Sequence, residues 1–301
     1  SGFPQSDADA VKLYRLAART NAIAQNNLGN MIENGRANSG GVPALALAAS
    51  FYKRAAMQGH PVAQTNLGRL YENGSGVAAD DKEAARWFSL AARQGNAQAQ
   101  YELGMLYHLG DGVEQDSAKA ERLFTLAADQ GYADALDQVA QAAVERRSAE
   151  GKFDNDAVTT ALFAKAFAAY QRDAATGSAY AIKMVGDYYY YGLGVAMNPG
   201  AAYTNYKKAV DLGDLEALRQ IGVLTERGEG VAKDEAAAAR IYRQCADKGD
   251  MTALTFLARM IETGRGGLTA DKAEAVRLYN RAAKQGNLEA QSDLRRLGEK
   301  P

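Results

Sequence analysis

The sequence predicts an all-α solenoid of seven helix-hairpin repeats with a half repeat at each end. The chain repeats itself at a 36-residue step: residues 63–96, 99–132 and 217–250 align without a gap. Three residue columns run through the whole chain in one register. Glycines punctuate each unit at two fixed places, where helices should stop.

Each predicted unit is two helices. The first begins at a column of alanines: Ala24, Ala63, Ala99, Ala135, Ala181, Ala217, Ala253 and Ala290. It continues with an aliphatic, a small residue and often an aromatic, as in Ala63, Leu67, Gly68 and Tyr71. Spacings of about three and four residues put these on one helical face. The helix should end at Gly74, Gly110, Gly192, Gly228 or Gly264, which accept a left-handed conformation. A short G-x-G-V loop follows. The second helix carries another alanine column (Ala10, Ala48, Ala84, Ala120, Ala166, Ala202, Ala238, Ala275). Its aromatic column is Tyr14, Tyr52, Phe88, Phe124, Tyr170, Tyr206, Tyr242 and Tyr279. It should end at Gly59, Gly95, Gly131, Gly177, Gly213, Gly249 or Gly286. Small residues let helices approach and aromatics fill the gaps. One such hairpin cannot bury its apolar face alone, so stacking is obligatory.

The step lengthens to 39 residues between Ala24 and Ala63, through the loop Ala37–Pro43, and to 46 between Ala135 and Ala181. The irregular fourth repeat, about 135–177, lacks the G-x-G-V loop. Its first helix is expected to run to about Ala149. Gly151 would then turn the chain, and Asp154 or Asp156 would cap a longer second helix. Asp173 stands where other repeats place a small apolar residue. The array, a single solenoid over 1–301, is expected to divide here into halves, 1–150 and 151–301. Ser1-Gly2-Phe3 aligns with Ser75-Gly76-Val77, so the chain begins inside a repeat loop and reads as a piece of a longer protein. Ala290, Leu294 and Leu297 mark a lone last helix, where Arg295 replaces the packing glycine, as suits a solvated cap.

The pattern A-x-x-x-L-G-x-x-Y-x-x-G-x-G-V followed by A-x-x-x-(F/Y)-x-x-A-A-x-x-G resembles the Sel-1-like repeat family, a relative of the tetratricopeptide repeats. The resemblance covers essentially the whole chain. Ile32, Thr225 and Ile261 depart from its first-helix tyrosine, and Ala140 and Ala258 from its glycine. It implies a right-handed α/α superhelix whose first helices line the concave face. It also implies a scaffold or adaptor role. Cysteine-rich relatives associated with β-lactam binding or hydrolysis staple each repeat with a cysteine pair, which this chain lacks.

Composition excludes several functions. Acids (36) and bases (35) nearly cancel, against a nucleic-acid partner. One cysteine rules out a disulfide framework and a cysteine-cage zinc site, and two histidines leave little for a metal centre. No apolar run approaches the roughly 18 residues of a membrane span. The opening residues carry no visible targeting signal. The composition fits cytoplasm and periplasm alike. Cys245 falls in an alanine column and reads as a packing residue, and His60 as a polar turn residue. No metal, no cofactor and no catalytic constellation is expected. The glycine-rich loops follow no strand and read as punctuation rather than phosphate cradles.

On the first helices, solvent positions are expected one residue before the column alanine and two, six, nine and ten after it. The candidate contacts for a protein or peptide partner are Tyr101, Met105, His108, Lys183, Asp187, Tyr190, Tyr191 and Arg219. Tyr189 is assigned to the core, while Tyr190 and Tyr191 are extra aromatics suited to a partner's hot spot or, by ring stacking, to a sugar. The expected function is a non-catalytic interaction scaffold. Two other readings are a regulatory or sensor domain of a larger enzyme, such as a caspase-like peptidase, contacting an upstream domain of the same chain, and an exported glycan-binding protein.

Overall fold

The computed structural model describes residues 7–38, 40–150 and 156–300, and 16 helices without a strand account for its regular structure. The chain forms two compact units, Ser1–Asn155 and Asp156–Pro301. In the first lie α1 (Asp7–Ala17), α2 (Ala22–Glu33), α3 (Ala44–Met57), α4 (Pro61–Glu72), α5 (Asp81–Arg93), α6 (Ala97–Leu109), α7 (Ser117–Asp129) and α8 (Ala133–Ala149). In the second lie α9 (Ala157–Ala174), α10 (Ala179–Tyr191), α11 (Pro199–Asp211), α12 (Leu215–Arg227), α13 (Glu235–Asp247), α14 (Met251–Thr263), α15 (Lys272–Ala283) and α16 (Leu288–Arg296). Six hairpins pack within the units (α2–α3, α4–α5, α6–α7, α10–α11, α12–α13 and α14–α15), with α1 before the first and α16 after the last; α8 closes the first unit and α9 opens the second.

The columns are the core. Every first-helix column alanine is buried, as is every second-helix one except the half-buried Ala10. The aromatic column is buried from Tyr52 to Tyr279, with Tyr14 half-exposed at the start. Its rings press on the small residue of the paired helix: a Cβ on Gly68 would lie 2.7 Å from Phe88 Cε1, and one on Gly222 2.7 Å from Tyr242 Cε1. The helix starts are capped at the column. In α2, α4, α6, α10, α12, α14 and α16 the N-cap side chain accepts the amide N–H of the column alanine itself. His60 is one of these caps, its Nδ1 3.2 Å from Ala63 N.

The second glycine of G-x-G does more than turn the chain. At Gly112 (φ +66°) an added Cβ would fall 2.3 Å from the carbonyl carbon of Asp81, and at Gly230 (φ +69°) 2.3 Å from that of Pro199. The loop therefore lies directly on the start of the preceding repeat's second helix. Only a residue without a side chain permits both the approach and the positive φ.

The fourth repeat holds to expectation at both described ends. α8 runs to Ala149, and Asp156 caps α9 by accepting Thr159 N–H at 2.7 Å. Gly151 and Asp154 lie outside the described residues. Asp173 takes up its odd position half-buried, bonded by Arg172 Nε at 3.0 Å. At the other end Arg295 is exposed on α16, and Leu294 is fully buried.

One assignment needs correction. Tyr189 is only half-buried, and the fully buried tyrosine of α10 is Tyr188, 1% exposed. The buried position lies seven residues after the column alanine, as Leu70, Leu106, Leu224 and Met260 also show. Two helical turns return there to the alanine's own face. The next position carries a ring too long to be covered, as with Tyr71, Tyr107 and Tyr189.

Candidate functional site

Neighbouring first helices form a wall within each unit, because their side chains bond across repeats. Thr65 Oγ1 lies 3.2 Å from Asn96 Oδ1, and Thr255 Oγ1 3.3 Å from Asn287 Oδ1, each acceptor being the N-cap of the next first helix. These bonds overturn one expected solvent position. At the position two after the column alanine the next repeat covers Thr65 and Thr255 with its N-cap and Lys183 with Glu216, so these three are buried, while Tyr101 and Arg219 are half-buried there. The residue three after it reaches the wall instead: Asn66, Glu102, Gln220 and Phe256 are all half-exposed. The polar Asn66, Glu102 and Gln220 at that spacing are the available sequence signal, which Phe256 does not share.

In the second unit the wall is a chain of ion pairs. Lys183, 6% exposed, sits 3.2 Å from Asp187 Oδ2 and 3.2 Å from Glu216 Oε2. Burial disfavours its charge, but the two carboxylates outweigh it and hold the ammonium above its usual value. Arg219 bonds Asp250 at 3.0 Å and Glu216 at 3.3 Å. Arg259 continues the series to Glu289 (2.9 Å) and Asp293 (2.7 Å), and Arg296 returns to Glu262 (2.6 Å). Lys183, Asp187 and Arg219 are therefore brought together as a ladder that joins repeats.

Tyr190 and Tyr191 stand apart from it. Their rings meet edge to face at 4.8 Å, and Tyr191 is 61% exposed. Arg227 donates to Tyr190 Oη at 2.7 Å, and burial together with the Glu229 carboxylate raises the Tyr190 pKa. The rings that pack on α9 are the other two: Tyr188 stacks on Phe167 at 5.9 Å, and Tyr189 meets Phe167 edge-on at 5.2 Å.

In the first unit, Tyr101, Met105 and His108 lie together on α6. Tyr101 is half-buried against Phe124 (5.7 Å) and Tyr132 (5.4 Å). Burial, then the charges of Asp134, Glu102, Asp137 and Glu72, push its hydroxyl pKa up. Met105 is half-buried and His108 exposed. Glu102, which the spacing rule passed over, is pushed up to about 7 by burial and by the Glu72 charge beside it.

A hydroxyl rule connects the wall to the core. Tyr52 donates to Glu33 at 2.5 Å, Tyr206 to Asp187 at 2.7 Å, Tyr242 to Glu226 at 2.7 Å and Tyr279 to Glu262 at 2.9 Å. In these four hairpins the core tyrosine supports a wall carboxylate of the helix it packs on. Beside Phe88, Glu72 lacks that donor, and burial with the charges of Asp81 and Asp111 raises its pKa.

The wall of α12 and α14 also encloses a cleft of about 170 Å³, with Arg227, Arg259 and Arg265 at its edge and Val223 and Phe256 as apolar surface. Arg265 comes from the loop after α14 and bonds Glu226 at 2.8 Å. Neither Arg265 nor Phe256 stood out in the sequence as a wall residue, the first because its glycine-rich loop reads as punctuation. Cys245 is fully buried in its alanine column, its thiol pushed up to about 11 by burial, and so is a poor nucleophile. Among the described residues no group of three or more His, Cys, Asp or Glu side chains could hold a metal ion, and no helix is long and apolar enough to cross a membrane.

Invariant small residues and rings inside, with varied side chains on one wall, define the class: a helical-repeat protein that presents a surface. The chain belongs to the Sel1 repeat family, whose model matches residues 1–19, 22–60, 61–96, 97–132, 179–214, 215–250 and 252–287. The irregular stretch 133–178 is passed over. Proteins of this family are generally protein-interaction scaffolds. Among solved structures, a Sel1 repeat protein from Oxalobacter formigenes is 25% identical, covering 86% of this chain and 96% of that one with a TM-score of 0.59. A protective antigen with the same repeat fold, c5321 of uropathogenic Escherichia coli, is 30% identical over 96% of this chain, with a TM-score of 0.48. This chain spans 60% of that antigen's length. Immunity protein Pa5087 from Pseudomonas aeruginosa is 20% identical over 74% of this chain and 81% of its own, with a TM-score of 0.48. A search of curated protein sequences returned no match.

Proposed function

We propose that this chain is a non-catalytic interaction scaffold that holds a peptide or protein segment on its first-helix wall. The observation that carries the reading is the Tyr190–Tyr191 pair, a ring pair on the wall with one exposed face and a hydroxyl already oriented by Arg227. Tyrosine supplies large, rigid contact area at small entropic cost, which is why it concentrates at binding hot spots. Lys183, Asp187 and Arg219 act here as positioning residues, since their charges are used in joining repeats. Tyr101, Met105 and His108 form a second contact area in the other unit.

The test is recovery of partners from a lysate with the Tyr190→Ala, Tyr191→Ala double variant. Neither hydroxyl supports the core, so helical ellipticity is expected to stay unchanged. Binding is expected to fall by about 2 kcal/mol or more, the scale of a hot spot. Undiminished recovery removes this pair from the binding surface.

A further inference from the structure

The cleft between α12 and α14 has a chemistry that no other described part of either wall repeats. Its charged lining is three guanidinium groups and one carboxylate, Glu226. Each oxygen of that carboxylate already has a donor: Oε2 accepts from Tyr242 at 2.7 Å and Oε1 from Arg265 at 2.8 Å. Arg265 uses Nε on Thr263 and one terminal nitrogen on Glu226. Arg259 uses Nε on Asp293 and one terminal nitrogen on Glu289. Arg227 uses one terminal nitrogen on a neutral phenol, which Glu229 also meets, and no ion pair of Arg227 itself is seen among the described residues. A guanidinium carries five N–H donors in a rigid fork. Each of the three arginines therefore keeps an Nη2 amino group to offer. Fixed bonds on the other nitrogens hold the forks in place before any ligand arrives, which lowers the entropic cost of binding.

The same repeat positions elsewhere exclude a generic explanation. Where the second unit has Arg227, Phe256, Arg259 and Arg265, the first has Asn73, Glu102, Met105 and Asp111. The repeat does not need arginines there. About 170 Å³ fits one side chain or a small oxyanion, and Phe256 and Val223 supply an apolar side for the stem that carries it.

We propose that this cleft receives an oxyanion, a carboxylate or phosphate, on an extended peptide segment lying along the wall beside Tyr190 and Tyr191. The inference rests on the scaffold reading above and names the chemistry of the segment. Carboxylate and phosphate both accept forked N–H···O bonds from arginine, and the site binds either through the same three groups.

The experiment follows the Arg227, Arg259 and Arg265 Nε–Hε resonances of the whole chain during titration. The probes are N-acetylglutamate methylamide, N-acetylglutamine methylamide and sodium phosphate. Saturable shifts with the glutamate probe or with phosphate, absent with the glutamine probe and weakened by added salt, are the expected result. Stronger binding of phosphate points to a phosphorylated residue as the source, and stronger binding of the glutamate probe to an acidic side chain. Arg227→Gln, at the exposed edge, and Arg265→Gln are each expected to weaken the response about tenfold, the scale of one lost charge-assisted bond. Arg227→Gln supports no carboxylate, so it keeps the test valid should Arg265→Gln disturb α12. Equal shifts with the glutamine probe, or none with either anion, overturn the proposal. If that happens while Tyr190→Ala, Tyr191→Ala still loses its partner, the scaffold reading stands and the oxyanion site alone falls.

Discussion

In the first unit, the junction of two successive hairpins brings together the charges of Glu72, Glu102 and Asp111; in the second, the equivalent junction gathers Glu226, Phe256 and Arg265 beside Tyr242. The frame beneath is common. Gly68 and Gly222 accept their rings at the same close approach, and Gly112 and Gly230 lie equally tightly on the preceding helix start. What differs is how charge is handled. Glu226 has a phenol and a guanidinium, whereas Glu72 has no phenol and its neighbour Glu102 titrates near 7. The comparison teaches that wall and frame are separable: packing specifies the repeat, and the wall can change sign upon it.

The seam between repeats also differs. In the first unit, Gln25, Gln64 and Gln100 are buried one residue after the column alanine. Gln64 and Gln100 donate to the carbonyls of Ala56 and Ala92, and accept from Gln94 and Gln130 at 2.8 and 2.7 Å. From the buried Leu136 at the first unit's last helix onward the place is apolar, and in the second unit Ile182, Leu218 and Leu254 hold it and join apolar clusters, until Gln291 restores the amide at the last helix. One seam is directional and the other is not.

The largest effect tests the shared frame. Gly112→Ala and Gly230→Ala should each destabilise their own unit by about 3 kcal/mol, from backbone overlap and an L residue at positive φ. Urea unfolding checks this. The single tryptophan, Trp87, is buried in the first unit and reports it by fluorescence, while ellipticity reports both. A loss below about 1 kcal/mol at either site breaks the claim of a common frame.

Gln100→Leu sharpens the seam comparison. It installs the second unit's residue type in the first, yet leaves the buried Ala92 carbonyl without its side-chain donor, while Gln130 keeps its bond to the Leu126 carbonyl. The expected cost is about 2 kcal/mol by the same fluorescence measurement. A neutral result would mean the two seams are interchangeable.

The smallest effect concerns pH. Glu102 has a folded pKa of about 7 against about 4.3 for an unfolded glutamate. The folded state holds the proton through that window. Stability of the first unit is therefore greatest below pH 4.3 on this group's account, declines as pH rises toward 7, and levels off above. Glu102→Gln should remove the decline and gain about 1 kcal/mol at pH 8. Parallel pH profiles for the variant and the parent would separate Glu102 from the wall's charge balance.

Much of this was written in local periodicity. The alanine and aromatic columns, the glycine stops, the end of α8 at Ala149, the cap at Asp156 and the place of Cys245 each follow from spacings of a few residues or from one repeat laid on another. Other features were not legible that way. Tyrosine and phenylalanine alternate in one column with no local reason, until the hydroxyl is found on a carboxylate of the paired helix, 16 to 19 residues away. Lys183 reads as a solvated charge until the next repeat covers it, and nothing local marks the glutamines after the column alanine as seam residues until their amides are seen there.

The helical hairpins and their core are encoded locally, because helix formation and close packing depend on residue size and on intervals shorter than one repeat. Which charges are consumed in joining repeats, and which remain offered on the wall, is set by the folded chain. Burial and hydrogen-bond partnership belong to side chains that meet across 30 or more residues of chain, as Lys183 with Glu216 and Arg219 with Asp250 do, and no periodicity encodes who meets whom.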